Sequence, residues 1–200
     1  MASPELGQLR FLSDLFAESL ECFQPHSVAI LGIAGGNGLD RIDSRITHRT
    51  VGFDVNPDYL EVIRERYPRL PGLELHCIDL ADEPARAAPV DLVHAALVFE
   101  HAGTGRCFES ALALVAPGGG FSAVLQLAGD PGQDVASTPF VSVQRLRDHF
   151  ALVDPEWFQR AVERRGFSLL RQIRCLLPAN KAFWMGLFER RKESLSDDNN

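Results

Sequence analysis

The sequence predicts an α/β fold in which helices cover both faces of a doubly wound, seven-stranded and mostly parallel sheet, with the last strand antiparallel. Three observations support this prediction: short apolar runs alternate with helical patterns, a glycine-rich turn follows the first run, and two apolar runs lie close together near the end of the chain. Strands that alternate with helices form parallel sheets, and ligands bind at the carboxyl ends of such strands.

Apolar patterns give the elements in order. Leu9, Leu12, Phe16 and Leu20 recur at helical spacing, which predicts a helix over residues 5–23. Strands are predicted at 27–32, 50–54, 73–78, 90–99, 121–127, 167–175 and 182–188. Further helices are predicted to begin near Leu39 and to cover 57–66, 106–116 and 155–165.

Two regions indicate the topology. Residues 90–99 are almost continuously apolar, which is typical of a central strand that is covered on both faces. The last two runs are joined by a short segment at 176–181, and a link of this length connects antiparallel neighbours. The sheet is therefore expected to end in an antiparallel hairpin.

The 200 residues fit one domain, and the 46% hydrophobic and 24% charged residues are typical of a globular protein. We expect a single domain over residues 1–188, with an N-terminal helix within 1–26, and a polar tail at 189–200. Residues 128–153 are too long for an ordinary connection and predict an insert that covers the substrate.

Composition excludes several classes of function. A formal net charge of −7 argues against binding to nucleic-acid phosphates. No apolar segment reaches the ~20 residues of a membrane span, and no secretory signal is visible. Four cysteines without a CxxC pair argue against a disulfide framework or a metal site. We expect a cytoplasmic protein without nucleic-acid, membrane or metal partners, and a homodimer is compatible with the sequence.

A glycine-rich turn at residues 32–38 is the main functional signal. Its glycines allow a sharp turn and a close approach of the backbone to a ligand, and a following helix would offer free N–H groups. Asp54 ends the next strand, 22 residues after Gly32, where a carboxylate would accept hydrogen bonds from ribose hydroxyls. The turn and the aspartate together predict a site for an adenosine-containing cofactor.

The spacing of the glycines discriminates between cofactors. The dinucleotide fingerprint has Ala34 and Asn37 at two of its three glycine positions and is not satisfied. The glycines do fit the turn of short-chain dehydrogenases, but neither tyrosine of the chain has a lysine four positions later, as that family's proton transfer needs. No Gly-Lys-Ser/Thr follows the turn, so a phosphate-binding P-loop is also excluded.

Five segments resemble the motifs of the class I S-adenosylmethionine-dependent methyltransferases. They lie at residues 31–42, 51–60, 76–80, 91–101 and 116–121. The resemblance covers most of residues 27–188 and implies that family's fold, with S-adenosylmethionine as the cofactor. The main departure from the family is Ile30, which stands where an acidic residue usually helps to orient the turn and the cofactor amine, and Ala34 in place of the middle glycine is a milder one.

The resemblance also implies which residues hold the cofactor. The turn would wrap its methionine part, Asp54 would bind the ribose, Val55 would face the adenine, and Asp79 would meet the adenine amino group. The implied set is Gly32, Ile33, Ala34, Gly36, Gly38, Asp54, Val55, Asp79, Leu80 and Leu97.

Methyl transfer from a sulfonium is an in-line displacement that depends on proximity, alignment and exclusion of water. A base is required only when the acceptor carries a proton, and the candidate catalytic residues are Glu100 and His101, just after the fourth strand. The alternative is that this pair only anchors the local loop.

The main hypothesis is therefore methyl transfer from S-adenosylmethionine to an unidentified small-molecule acceptor. The first alternative is a non-catalytic relative that binds the cofactor or acts as a scaffold. The second, less favoured, is a short-chain-type NAD(P) oxidoreductase.

Overall fold

A computed structural model of the chain describes residues 4–128, 150–177 and 181–192. The helices are α1 (Pro4–Phe23), α2 (Pro57–Arg66), α3 (Phe99–Ala102), α4 (Arg106–Ala113) and α5 (Pro155–Glu163), and a 3₁₀ helix covers Leu39–Arg41. The strands are β1 (Ser27–Leu31), β2 (Arg49–Asp54), β3 (Leu73–Cys77), β4 (Val90–Ala96), β5 (Val115–Leu127), β6 (Phe167–Leu177) and β7 (Lys181–Arg190).

The strands form one seven-stranded sheet in the order β3-β2-β1-β4-β5-β7-β6. Neighbours among β1 to β5 pair in parallel, whereas β7 is antiparallel to both β5 and β6. The predicted fold class, with an antiparallel last strand, is confirmed. The strand order reverses between β1 and β4, which is where sheets of this kind bind ligands.

Helices cover both faces, as the alternation of side chains along β1 shows. Val28 and Ile30 lie in the apolar cluster that α1 and α2 cover. Ala29 and Leu31 point the other way, into the cluster that α4 and α5 cover. The sheet is therefore buried from both sides, and its carboxyl edge is left to form a site.

Two helices begin with the same local signal. Asn56 accepts a hydrogen bond from the Asp58 N–H at 3.0 Å and precedes Pro57, the first residue of α2. Asp154 accepts from the Glu156 N–H at 3.0 Å and precedes Pro155 of α5. A capping side chain followed by proline satisfies one N–H and fixes the backbone of the first turn, so both helices start where the sequence predicts.

Three predicted boundaries near the site are wrong. The fourth strand ends at Ala96 rather than at residue 99, because Leu97 has a left-handed backbone (φ 56°) and Phe99 begins α3. The helix predicted over 106–116 ends at Ala113, and β5 begins at Val115. The Pro-Gly-Gly segment after Ala116 lies inside β5, at the point where the register of β5 with β4 shifts. Strands tolerate proline and glycine at such irregularities.

Two further predictions need correction or lie outside the described residues. A polar tail is predicted from residue 189, but β7 continues to Arg190, and residues 193–200 lie outside the described residues. The predicted insert at 128–153 falls mostly on residues 129–149, which lie outside the described residues. Among the residues that are described, no helix is long and apolar enough to cross a membrane, and no group of three or more metal-ligating side chains occurs.

Candidate functional site

The glycine-rich turn begins at the carboxyl end of β1 and is bound at once to the neighbouring strand. The N–H groups of Gly32 and Ile33 both donate to the Phe53 carbonyl, at 2.9 and 3.0 Å. On the other side, a Cβ atom on Gly32 would lie 3.3 Å from a methyl group of Val98. The turn therefore sits tightly between the ends of β2 and β4.

The turn contains a series of left-handed residues. Gly32, Ala34, Gly36 and Gly38 have φ values of 67°, 46°, 81° and 87°. Three of them are glycines, which adopt this conformation freely, whereas the left-handed conformation costs Ala34 about 1–2 kcal/mol. The predicted helix after the turn is wrong: only the 3₁₀ helix at Leu39–Arg41 follows, so no α-helix directs its N-terminus at the site.

Asp54, at the end of β2, holds the turn from within. Its Oδ2 accepts the Ala34 N–H at 2.8 Å and its Oδ1 accepts the Asn56 N–H at 2.9 Å. The side chain is only 7% exposed, and burial raises the pKa of its carboxyl despite these backbone hydrogen bonds. An ionised carboxylate has about four lone-pair sites, so capacity remains for ribose hydroxyls.

Ile30 occupies the position where the resembled family usually carries an acid. Its side chain is buried in the same apolar cluster as Phe16, Ile33 and Leu39, on the face that α1 covers. Isoleucine therefore packs at a position where an acid would have to be buried. In this chain the Asp54 carboxylate makes the polar contact to the turn.

The predicted adenine side lies along the ends of β2 and β3. Val55 is 46% exposed, and the Ile78 N–H donates to the Asp54 carbonyl at 2.9 Å, which joins the two strand ends. Asp79 follows with an exposed carboxylate, one oxygen of which accepts the Ala81 N–H at 2.9 Å. The Leu80 side chain is buried in the core, so only its backbone is available to a ligand.

Leu97 closes the site at the end of β4. Its N–H donates to the Val124 carbonyl at 2.9 Å, and its left-handed backbone turns the chain away from the sheet into α3. The structure therefore brings all ten residues of the predicted cofactor set to the carboxyl edge of β1 to β4. Their contacts with a cofactor stay a prediction.

The two predicted catalytic residues have different surroundings. Glu100 is 1% exposed, and its Oε1 accepts the Gln126 N–H at 2.6 Å, which ties the end of β5 to α3. Burial raises the pKa of this carboxyl. His101 is half-buried, and its ring centroid lies 5.2 Å from that of Phe150. A catalytic role for either residue stays a prediction.

Contacts from α1 to the turn were not predicted from the sequence. The Asn37 side chain donates to the Leu9 carbonyl at 2.9 Å, and Arg41 donates to Ser13 Oγ at 3.2 Å and to Asp14 Oδ1 at 2.5 Å. These partners are 27 or 28 residues apart, so no local pattern could have revealed them.

Tyr67, just after α2, was also missed. Its hydroxyl donates to the Gly36 carbonyl at 3.1 Å, and a Cβ atom on Gly36 would lie 2.8 Å from its ring. The aromatic ring therefore fills the space that the missing side chain of Gly36 leaves. Its position past the end of a helix gave no signal of this role.

A buried polar network attaches α1 to the middle of the sheet. His94 Nδ1 lies 3.0 Å from Ser122 Oγ, which lies 2.9 Å from Ser19 Oγ, and Ser19 is also 3.0 Å from the Leu15 carbonyl. Burial lowers the pKa of His94 to about 4, so its imidazole is neutral near pH 7. The network fixes α1 against β4 and β5.

Comparison with known proteins agrees with this geometry. A family model described as a methyltransferase domain matches residues 28–119. No curated protein matches the sequence. The chain is similar in structure to the N-methyltransferase NodS from Bradyrhizobium japonicum WM9 in complex with S-adenosyl-L-homocysteine, at 17% identity and a TM-score of 0.66, covering 88% of this chain and 84% of that chain.

Two other solved structures share the fold. Magnesium protoporphyrin IX methyltransferase (ChlM) from Synechocystis PCC 6803, with bound S-adenosyl-L-homocysteine, is 11% identical with a TM-score of 0.66, over 92% of this chain and 84% of that chain. The [4+2]-cyclase SpnF is 13% identical with a TM-score of 0.68, over 90% and 80%. Residues 28–119 therefore match a methyltransferase domain, and the chain shares its fold with solved methyltransferases that hold S-adenosyl-L-homocysteine.

Proposed function

We propose that this protein transfers the methyl group of S-adenosylmethionine to a small-molecule acceptor that binds above the carboxyl ends of β4 and β5. The observation that carries the proposal is the contact between Asp54 and the glycine-rich turn. It places a carboxylate with spare lone pairs beside a backbone that a ligand can approach closely.

The residues at this edge fit the cofactor. Asp54 would accept the ribose hydroxyls, the exposed Val55 offers an apolar surface to the adenine, and the Asp79 carboxylate is open to an amino group. The bound cofactor supplies an electrophilic methyl group on a sulfonium. The protein's part is to hold both reactants in line and to keep water away.

We assign the two candidate catalytic residues different roles. Glu100 is closed to solvent and bound to the Gln126 N–H, so we propose that it positions the end of β5 and the start of α3. His101, half-buried beside Phe150, is the better candidate to accept a proton from an acceptor hydroxyl or amine, because a neutral imidazole has a nitrogen that accepts a proton.

The test is calorimetry with S-adenosylhomocysteine and with NAD(H), followed by a methylation screen over a panel of small acceptors. We expect the wild-type protein to bind S-adenosylhomocysteine and not NAD(H). Asp54→Ala should weaken this binding about 100-fold, because two hydrogen bonds from ribose to a charged group are lost. Asp58→Asn, an exposed acid on α2, is the matched control and should bind as the wild type does.

Each outcome of this experiment has a clear meaning. A preference for NAD(H) would overturn the proposal in favour of an oxidoreductase. Binding of S-adenosylhomocysteine without methylation of any acceptor would favour a non-catalytic relative. The fold alone does not decide this, since one solved structure with the same fold is named a [4+2]-cyclase. Full affinity in Asp54→Ala would refute the ribose assignment.

A further inference from the structure

The glycine-rich turn lacks the support that usually follows such a turn. In nucleotide-binding folds, an α-helix begins directly after the glycines and fixes their position. Here the 3₁₀ helix Leu39–Arg41 has a single turn, and Ile42 after it is already extended. The shape of the turn must therefore be held by contacts from elsewhere.

Helix α1 makes these contacts. Its residues Ser13 and Asp14 bind the Arg41 side chain, at 3.2 and 2.5 Å, and its Leu9 carbonyl accepts the Asn37 side chain at 2.9 Å. The backbone of Gly38 packs directly on the same helix, since a Cβ atom there would lie 3.1 Å from the Phe16 ring. Asn37, Gly38 and Arg41 are thus all in contact with α1.

Helix α1 is itself firmly attached to the sheet. Phe16 and Leu20 are buried among Val28, Ile30 and Leu92 of β1 and β4. The Ser19 hydroxyl joins the buried network that ends at His94. The helix therefore offers the turn a fixed surface.

We propose that α1 supports the turn in place of the α-helix that usually follows such a turn. Asp14 and Arg41 are the positioning residues that hold the turn in its cofactor-binding shape. The inference rests on the proposed function only in taking the turn as the cofactor site. Neither residue is expected to touch the reacting atoms.

The chain offers a matched control one helical turn away. Glu18 of α1 forms an ion pair of similar exposure with Arg171, but that pair ties α1 to β6 and is unrelated to the turn. Asp14→Ala and Glu18→Ala therefore each remove one exposed ion pair from the same helix. They differ in whether the lost partner supports the turn.

The first measurement is hydrogen–deuterium exchange of the amides of residues 33–41 in the ligand-free protein. Asp14→Ala should speed their exchange about two- to fivefold, the range expected for an exposed ion pair, and Glu18→Ala should leave it unchanged. The charge-reversed pair Asp14→Arg with Arg41→Asp should restore slow exchange. Equal effects of the two alanine variants, or no effect of Asp14→Ala, would overturn the inference.

The second measurement is affinity for S-adenosylhomocysteine by calorimetry. It should fall about two- to fivefold in Asp14→Ala and stay at the wild-type value in Glu18→Ala. If the wild-type protein does not bind S-adenosylhomocysteine, the proposed function fails, while the exchange measurement still decides the role of α1. If it binds but exchange and affinity do not distinguish the two variants, the inference fails alone.

Discussion

The crossovers that follow β1 and β2 pack into the same apolar cluster, yet they keep their shapes by different means. The second contains α2, which is determined locally by the Asn56 cap and by Pro57. The first, residues 32–48, has only one 3₁₀ turn and is held by residues far away in the sequence: Asp14, Asp54 and Tyr67.

This difference shows where the site is vulnerable. A capped helix makes its backbone hydrogen bonds within itself, so its shape depends less on distant residues than that of an irregular segment does. The first crossover carries the proposed cofactor turn and depends on several long-range contacts. Substitutions far from the turn in sequence should therefore alter the site, while loss of the Asn56 cap of α2 should affect stability alone.

Gly36→Ala should disturb the first crossover most. The new methyl group would meet the Tyr67 ring at 2.8 Å on a backbone with φ 81°. The left-handed conformation and the overpacking together cost about 2–5 kcal/mol of unfolding free energy. Urea denaturation measures this loss. Gly35→Ala is the control, because open space surrounds that position, and it should change stability by less than ~0.5 kcal/mol.

Acid should loosen the first crossover through His94. The folded-state pKa of about 4 lies below the ordinary value of 6.5, so the neutral ring contributes stability above pH 6.5 that is lost as the pH falls toward 4. The loss amounts to at most about 3 kcal/mol. The raised carboxyl pKa values of Asp54 and Glu100 act in the opposite direction, since folding then favours their protonated forms.

A variant isolates the contribution of His94. Urea denaturation between pH 7 and pH 4 should show a flatter pH dependence for His94→Asn than for the wild type. Because the His94 network attaches α1 to the sheet, acid should also lower the protection of the amides of residues 33–41, relative to their intrinsic exchange rates at each pH, before it does so in α2. An identical pH dependence in both proteins would contradict the assignment.

Asn56→Ala should weaken the second crossover by a smaller amount. Loss of the cap on the Asp58 N–H costs about 1 kcal/mol of unfolding free energy, which urea denaturation measures. Asn56→Ser restores a capping oxygen and should recover most of that stability. If serine is as damaging as alanine, the cap is not what stabilises α2.

Local signals explain what the sequence predicts well. The starts of α2 and α5 follow from a capping residue and a proline, and the central position of β4 follows from its continuous apolar run. The antiparallel β6–β7 hairpin follows from its short connection. Each of these features depends on residues within a few positions of one another, so a single sequence contains enough information.

The remaining features depend on tertiary contacts. The apolar run 90–99 does not show that Leu97 becomes left-handed, because that conformation is fixed by its hydrogen bond to Val124 and by the turn into α3. The glycine pattern reveals the turn but not what supports it, since Asp14 and Tyr67 lie far away in the sequence. The sequence therefore indicates the turn and does not reveal the contacts that support it.

The smallest predicted effect, and the only gain, concerns Ala34. Its left-handed backbone costs about 1–2 kcal/mol, which glycine would relieve. Glycine also makes the unfolded chain more flexible, which offsets about 0.4–1 kcal/mol, so Ala34→Gly should raise the unfolding free energy by about 0.5 kcal/mol. The control is Ala113→Gly, at the exposed end of α4, which should lower stability by about 0.5–1 kcal/mol. If urea denaturation shows a higher unfolding free energy for Ala34→Gly and a lower one for Ala113→Gly, the backbone of Ala34 is strained. A lower unfolding free energy in both variants would show that Asp54 and α1 hold this turn without strain at Ala34.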